Sequence, residues 1–181
     1  MTPDITKALA IPGWMSEGEL TWLATTAQTC QTILEIGSYL GRSTRALADA
    51  CPGHVYVVDT WTNYAWVLDP TARDGDAVYR RCQQNLAPHL DTGHVTLWRG
   101  RSLDLTIWQQ VPPCDLIFLD GDHSYGTVIQ EIQLWAPRVK PGGILSGHDY
   151  GAPSTLGVTR AVQELYGQPD ALHESIWVKR L

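Results

Sequence analysis

The segment that decides the fold is Thr32–Thr44, TILEIGSYLGRST. A short apolar run ends beside an acidic residue, breaks at a glycine and continues with apolar residues at helical spacing. Gly37 and Gly41 carry no Cβ, so they permit a tight turn and a ligand close to the backbone. A strand, a glycine turn and a helix in this order place unpaired N–H groups at the carboxyl end of a strand, where open α/β sheets bind ligands.

The spacing of the two glycines narrows the class of ligand. Dinucleotide sites usually have the pattern G-x-G-x-x-G, with a pyrophosphate against the start of the helix. Here the pattern is Gly-x-x-x-Gly, and Glu35 precedes the first glycine by two residues. A carboxylate at this position repels a pyrophosphate but suits a ligand with an ammonium or sulfonium charge. The alternative interpretation is an ordinary strand-to-helix turn.

Three further apolar segments also end in polar residues. They are His54–Asp59, Asp115–Asp120 and Gly143–Asp149, the last of which ends in His-Asp. Asp59 lies 22 residues after Gly37, close to the spacing at which nucleotide-binding folds place an acid that accepts from ribose hydroxyls. Four strands with polar ends predict one polar edge of a parallel sheet.

Strands and helices are expected to alternate along the whole chain, which predicts an α/β fold with a doubly wound, mainly parallel sheet, helices on both faces and a terminal antiparallel strand. Ser16–Glu19 has the pattern of a capping box, for a helix through about Thr29. We expect one domain, 1–181, with an N-terminal helical segment at 1–30 and a lid loop at 60–74. The predicted strands are Thr32–Ile36, His54–Asp59, Val95–Arg99, Asp115–Asp120, Ile144–His148 and Ile176–Lys179; the helices after the first are Arg42–Cys51, Gly75–Leu86, Leu103–Gln109, Thr127–Ala136 and Thr155–Tyr166.

Composition excludes several classes of partner. The 181 residues carry a net charge of −6 and no Lys/Arg run, which argues against nucleic acid. No apolar stretch approaches the length of a membrane span, and the N-terminus lacks the apolar core of a signal peptide. The four cysteines are scattered without a C-x-x-C pair, so we expect four reduced structural thiols and a cytoplasmic location.

Four motifs together resemble a known family. Glu35–Thr44, Val58–Trp61, Phe118–Tyr125 and Lys140–Tyr150 are similar to class I S-adenosylmethionine (SAM)-dependent methyltransferases. The resemblance covers Ser16–Val178 and is greatest to a small bacterial branch related to macrocin-type O-methyltransferases and cephalosporin-hydroxylase-like proteins, with features of the catechol type. It implies a Rossmann-like methyltransferase sheet and methyl transfer to a hydroxyl of a small-molecule acceptor. Relatives have seven strands, whereas here only 169–175 is left for the sixth.

The resemblance also implies a set of SAM contacts. Asp59 would accept from the ribose hydroxyls, and Glu35 would lie near the methionine ammonium or else bond to the glycine turn. Trp61 would pack on adenine or anchor its loop. Relatives often carry an acid after the third strand, where this chain has Arg101 and Ser102. The full predicted cofactor set is Glu35, Gly37, Ser38, Tyr39, Gly41, Ser43 (alternatively a helix cap), Asp59, Thr60, Trp61, Arg101, Ser102 and Asp120.

The predicted catalytic residues are Asp120, His123, His148 and Asp149. In relatives, the positions of Asp120, His148 and Asp149 hold a divalent metal, which would orient the acceptor's hydroxyl and lower its pKa. A histidine favours Mn, Fe or Zn over Mg. The alternatives are Mg held by the two aspartates alone, or no metal, with His123 or His148 as general base.

The acceptor is expected to meet the loop Trp61–Trp66, the segment Ile11–Trp14 and Tyr150. A homo-oligomer whose partner subunit completes this pocket is a further hypothesis. Two other functions stay open: a SAM- or nucleoside-binding protein with a sensor or scaffold role, and a nicotinamide-dependent oxidoreductase. The glycine spacing and the lack of a Tyr-x-x-x-Lys pair count against the oxidoreductase.

Overall fold

The computed structural model describes residues 2–62 and 74–181, in which helices and strands alternate. The strands are β1 (Thr32–Ile36), β2 (His54–Asp59), β3 (Val95–Arg99), β4 (Cys114–Leu119), β5 (Val139–Gly147), β6 (Ala171–His173) and β7 (Ile176–Arg180). The helices are α1 (Thr6–Leu9), α2 (Glu17–Ala27), α3 (Arg42–Ala50), α4 (Gly75–Asp91), α5 (Leu105–Gln110), α6 (Tyr125–Trp135) and α7 (Leu156–Tyr166).

The strands form one seven-stranded sheet in the order β3-β2-β1-β4-β5-β7-β6. The first five strands of this order are parallel, whereas β7 runs antiparallel to β5 and β6. The predicted fold class is therefore confirmed, including the terminal antiparallel strand. The sixth strand exists but has only three residues. Because the strand order reverses between β1 and β4, the carboxyl ends of these two strands frame the crevice where such sheets bind ligands.

Each face of the sheet is covered by its own group of helices. On one face, α1, α2, α3 and α4 bury Leu20, Leu23, Leu47 and Leu86 against the strands. On the other face, α5, α6 and α7 bury a second cluster that includes Trp135. The central strands are thus buried on both faces, which explains why their sequences are nearly continuous apolar runs.

Local signals place most of the helix boundaries. Ser16 and Glu19 form the predicted capping box at the start of α2. By contrast, α4 continues past its predicted end at Leu86, through Pro88 to Asp91. The predicted lid loop at 60–74 lies largely outside the described residues. Within 2–62 and 74–181, the model contains no helix long and apolar enough to cross a membrane.

Candidate active site

The glycine turn after β1 packs directly against the end of β4. The Gly37 N–H donates to the Val58 carbonyl at 2.9 Å, and the Asp120 N–H donates to the Ile36 carbonyl at 2.7 Å. Gly37 has a φ of +87°, and a Cβ there would lie 2.0 Å from the Asp120 carbonyl oxygen. The space that this glycine leaves open is therefore filled by the backbone after β4, and its proposed contact with a ligand stays a prediction.

Gly41 serves as the N-cap of α3, also with a φ of +87°. A Cβ at this position would meet the Leu86 side chain at 3.1 Å. Ser43 does not cap the helix, because the N-cap has no side-chain hydrogen bond. Its hydroxyl instead belongs to the group of donors around Glu35.

Asp59, at the end of β2, organises the glycine loop. Its Oδ2 accepts hydrogen bonds from the N–H groups of Ser38 at 2.8 Å and Tyr39 at 2.9 Å. Its Oδ1 accepts from the Trp61 N–H at 2.8 Å. Ser38 and Tyr39, which belong to the predicted cofactor set, thus donate their N–H groups to this carboxylate. A contact with ribose hydroxyls stays a prediction for the same side chain.

Glu35 is fully buried in the middle of the predicted cofactor site. The Thr44 hydroxyl donates to Oε2, and the nearby Ser43 hydroxyl also favours the charged carboxylate, whereas Oε1 is buried without a hydrogen-bond partner among the described residues. Burial raises the pKa of Glu35 to about 8, and the nearby carboxylates of Asp120 and Asp59 act in the same direction. The structure therefore holds an incompletely satisfied carboxyl group in an acidic surrounding, which favours the approach of a cation.

Trp61 lies in the core rather than at the surface. Its side chain is fully buried, Nε1 donates to the Tyr39 carbonyl at 2.9 Å, and its ring packs on Tyr79 with centroids 4.6 Å apart. Of the two roles that the sequence left open, this geometry favours the loop anchor. Thr60 lies beside it, where its carbonyl accepts from Arg99 Nε at 3.4 Å.

The loop after β3 contains two residues of the predicted cofactor set, Arg101 and Ser102, which have different surroundings. Arg101 is exposed. Ser102 Oγ donates to Glu131 Oε1 of α6 at 2.5 Å, and the Ser102 carbonyl accepts from Trp135 Nε1 at 2.9 Å. Burial raises the pKa of Glu131 to about 7. Sequence reasoning missed Glu131, because it occupies an ordinary apolar-face position of a helix.

Asp120, His123 and Asp149 converge at the ends of β4 and β5. His123 Nε2 lies 3.1 Å from Asp149 Oδ2 and 3.7 Å from Asp120 Oδ1. One ligand atom from each residue fits within 4.8 Å of the other two. Nε2 is buried and not aligned for a hydrogen bond with either carboxylate. The nearby carboxylates of Asp120 and Asp149 raise the pKa of His123 against its burial.

This group fits a divalent cation. Two carboxylates and one imidazole are the mixed oxygen and nitrogen ligands that Mn²⁺, Fe²⁺ and Zn²⁺ accept, whereas Mg²⁺ prefers oxygen alone. The unaligned Nε2 of His123 is the buried polar atom that such a cation would satisfy. Burial raises the pKa of Asp120, which in the absence of a cation disfavours its charged form.

His148 lies next to this group and also makes contacts that the sequence did not predict. Its Nε2 lies 3.0 Å from Glu19 Oε1 and 2.9 Å from Ser175 Oγ, and its Nδ1 lies 3.2 Å from Asp149 Oδ2. Although burial opposes it, hydrogen bonds to Asp149 and Glu19 raise the pKa of His148 to about 10. The role of His148 as ligand or base stays a prediction, and the structure places His123 with the two aspartates.

Glu19 and Ser175 are functional candidates that sequence reasoning did not find. Glu19 was assigned only to the capping box, and Ser175 lies just before β7 without a motif. Their contacts with His148 depend on the packing of α2 against the edge of the sheet. Glu19 and His148 are 129 residues apart in the sequence. No local pattern carries this information.

A family model described as a methyltransferase domain matches residues 34–150. A search of curated proteins finds no match.

Solved structures with the same fold include several methyltransferases. One is a candidate caffeoyl-CoA O-methyltransferase from Staphylococcus aureus, with a TM-score of 0.69 and 17% identity over 96% of this chain and 87% of that one. A Bacillus cereus O-methyltransferase in complex with SAH gives 0.63 and 20% identity over 90% and 75%. The SAH-bound Podospora anserina methyltransferase PaMTH1 gives 0.68 and 14% identity over 93% and 80%. The family model spans more than half of the chain, which therefore belongs to the methyltransferase domain family, as its resemblance to the class I SAM-dependent enzymes implied.

Proposed function

We propose that this protein transfers the methyl group of SAM to a hydroxyl of a small-molecule acceptor, with a divalent cation held by Asp120, His123 and Asp149. The observation that carries the proposal is the convergence of these three side chains at the ends of the neighbouring strands β4 and β5. A protein that only binds SAM has no need of a second cluster of ionisable groups beside the cofactor site. Structures of the same fold from Bacillus cereus and Podospora anserina contain SAH, the product of methyl donation.

The donor half of the site is acidic, which suits the charges of SAM. Glu35, Asp59 and Asp120 lie at the ends of three neighbouring strands, and the two aspartates raise the pKa of Glu35. The sulfonium and ammonium groups of SAM are both cations, so their approach relieves the repulsion among these carboxyl groups. Asp59 is suited to the ribose, because its carboxylate oxygens can accept more than one hydrogen bond each.

The acceptor half requires a hydroxyl oriented toward the sulfonium methyl. A cation held by Asp120, His123 and Asp149 supplies Lewis-acid polarisation of this hydroxyl when it is bound. The chain itself fixes the two carboxylates at the ends of rigid strands and thereby sets the position of the hydroxyl. Such positioning accounts for much of the rate acceleration in group-transfer reactions.

The direct test combines binding with transfer of labelled methyl groups. Calorimetry with SAM and SAH, followed by incubation of methyl-labelled SAM with a panel of phenolic and sugar hydroxyl compounds and Mn²⁺, is expected to show binding and label on an oxygen. His123→Ala is expected to keep the SAH affinity within about twofold and to lower transfer by about 100-fold or more. Failure to bind SAH would contradict the proposal, and label on nitrogen would contradict its acceptor class. Binding without transfer would favour the sensor or scaffold role.

A further inference from the structure

The N-terminal capping box has a second set of contacts that its helix does not need. Glu19 is 4% exposed, and its Oε2 accepts from the Ser16 N–H at 2.9 Å, which completes the box. Its Oε1 faces away from the helix and accepts from Ser175 Oγ at 2.5 Å and from the Ser175 N–H at 3.2 Å. The same oxygen lies 3.0 Å from His148 Nε2. One buried carboxylate thus joins α2 to the ends of two strands.

The next contact leads from His148 into the proposed cation site. His148 Nδ1 lies 3.2 Å from Asp149 Oδ2, the same oxygen that lies 3.1 Å from His123 Nε2. Since both ring nitrogens of His148 are held by carboxylates, the ring cannot rotate without losing one of these contacts. The orientation of the Asp149 side chain therefore depends on the contact that Glu19 of α2 makes with His148.

Asp149 also has a backbone that needs external support. Its φ of +67° is left-handed, a conformation that non-glycine residues adopt at a cost and keep only where the surroundings fix it. Thr155 Oγ1 donates to the Asp149 carbonyl at 3.0 Å, and the Tyr150 N–H donates to the Ser175 carbonyl at 2.9 Å. Ser175 thus holds both Glu19 and the backbone that follows Asp149.

We propose that Glu19 is a positioning residue of the cation site, which acts through His148 to fix the Asp149 carboxylate toward Asp120 and His123. The inference rests on the proposed function, because it assigns a role toward the cation of that site. A cap at this helix position needs one oxygen, and glutamine serves as well as glutamate there. The second oxygen of Glu19 is what His148 and Ser175 use. Partners that orient metal ligands in this way typically change metal affinity by about 10- to 100-fold when they are removed.

The test compares two variants of the same capping box. Glu19→Gln keeps one acceptor for the Ser16 N–H but cannot accept from all the groups that face Glu19. Ser16→Ala removes the hydroxyl that accepts from the Glu19 N–H and donates to Glu174 Oε2, but it changes no atom that contacts Glu19 Oε1, His148 or Ser175. Mn²⁺ affinity is measured from the electron paramagnetic resonance signal of the free ion at saturating SAH, SAH affinity by calorimetry, and stability by thermal unfolding.

Glu19→Gln is expected to weaken Mn²⁺ binding by about 10- to 100-fold and to leave SAH affinity within about twofold. Ser16→Ala is expected to lower the melting temperature by about 2–4 °C with Mn²⁺ affinity unchanged. If Glu19→Gln does not fold, Ser175→Ala replaces it, and a loss of about threefold to tenfold in Mn²⁺ affinity is expected, because one of several supporting hydrogen bonds is removed.

Three results separate the possible failures. A folded Glu19→Gln variant with wild-type Mn²⁺ affinity, or a Ser16→Ala variant with an equal loss, would overturn the positioning role alone. A wild-type protein that binds SAH but no Mn²⁺ would overturn both the cation site and this inference, while the donor site stands. A wild-type protein that does not bind SAH would overturn the proposed function itself.

Discussion

Glu35 gives the sharpest quantitative prediction, for the replacement Glu35→Gln. The side chain is fully buried, one of its oxygens has no hydrogen-bond partner among the described residues, and its pKa is raised to about 8 from 4.5. At low pH the neutral carboxyl group and the amide have nearly the same shape and charge. The two proteins should therefore differ in stability mainly through the ionisation of this one group.

The sign and size of the effect follow from the two pKa values. The folded protein keeps the carboxyl group protonated up to about pH 8, whereas the unfolded chain ionises it above about 4.5. The contribution of Glu35 to stability is thus fully present below pH 4.5 and is lost as the pH rises toward 8. Between pH 5.5 and 7.5 the loss is about 1 kcal/mol per pH unit, or about 2 to 3 kcal/mol in total, relative to the variant.

The assay is urea unfolding of both proteins at pH 5.5, 6.5 and 7.5. Other buried groups, such as Glu131 and His148, titrate in both proteins, so their contributions cancel in the difference. With each increase in pH, the free energy of unfolding of the variant is expected to rise relative to that of the wild type, with equal m-values. A difference that stays constant within about 0.5 kcal/mol across this range would refute the reasoning, because it would mean that Glu35 ionises alike in the folded and unfolded chains.

Three further predictions concern the scaffold of the site. Gly37→Ala should lower the free energy of unfolding in urea by about 3 kcal/mol or more, because the new Cβ meets the Asp120 carbonyl. Gly93 also has a positive φ, +69°, but nothing lies within 4 Å of a Cβ there, so Gly93→Ala should lower it by only about 1 kcal/mol. Asp59→Ala should lower the free energy of unfolding by about 2–5 kcal/mol, since three backbone N–H groups lose their acceptor. It should also weaken SAH binding, measured by calorimetry, on the order of tenfold to 100-fold. Unchanged affinity would reject the ribose role. Ellman's reagent should detect no thiol in the native protein and all four in denaturant, because the cysteines are buried and unpaired: Cys30, Cys51, Cys82 and Cys114.

The sequence was sufficient where local chemistry decides the structure. The bounds of β1, β2 and β3 match the prediction residue for residue, because each is an apolar run closed by turn residues. The beginning of β5 was predicted at Ile144, but the strand starts at Val139. The polar residues and the proline and glycines between them carry no strand pattern. Val139 pairs with Cys114, and the register then shifts before Ile144 pairs with Leu116, so the extent of this strand depends on its neighbour.

Within the site, too, local sequence predicted some features, whereas others depend on contacts between distant segments. Asp120 and Asp149 were predicted at the ends of adjacent strands, and the structure brings both into contact distance of His123. The environment of His148 was not predicted, because the protonation of this residue depends on Glu19 and Asp149 together. One of these two carboxylates comes from the opposite end of the chain, so no motif around His148 could reveal it.

Energetic costs within the fold are concentrated at one edge of the sheet. In the described part of the chain, the non-glycine residues with positive φ are Tyr39, Trp61, Asp149 and Glu174, and each lies in a loop at the carboxyl edge of the parallel strands. The buried Glu35, with its unpaired oxygen, lies at the same edge. Strained backbone and buried ionisable groups persist only where other interactions fix them, and they are typical of functional sites. Since the strands below this edge follow ordinary apolar patterns, these residues are candidates for a role in the site rather than in the packing of the core.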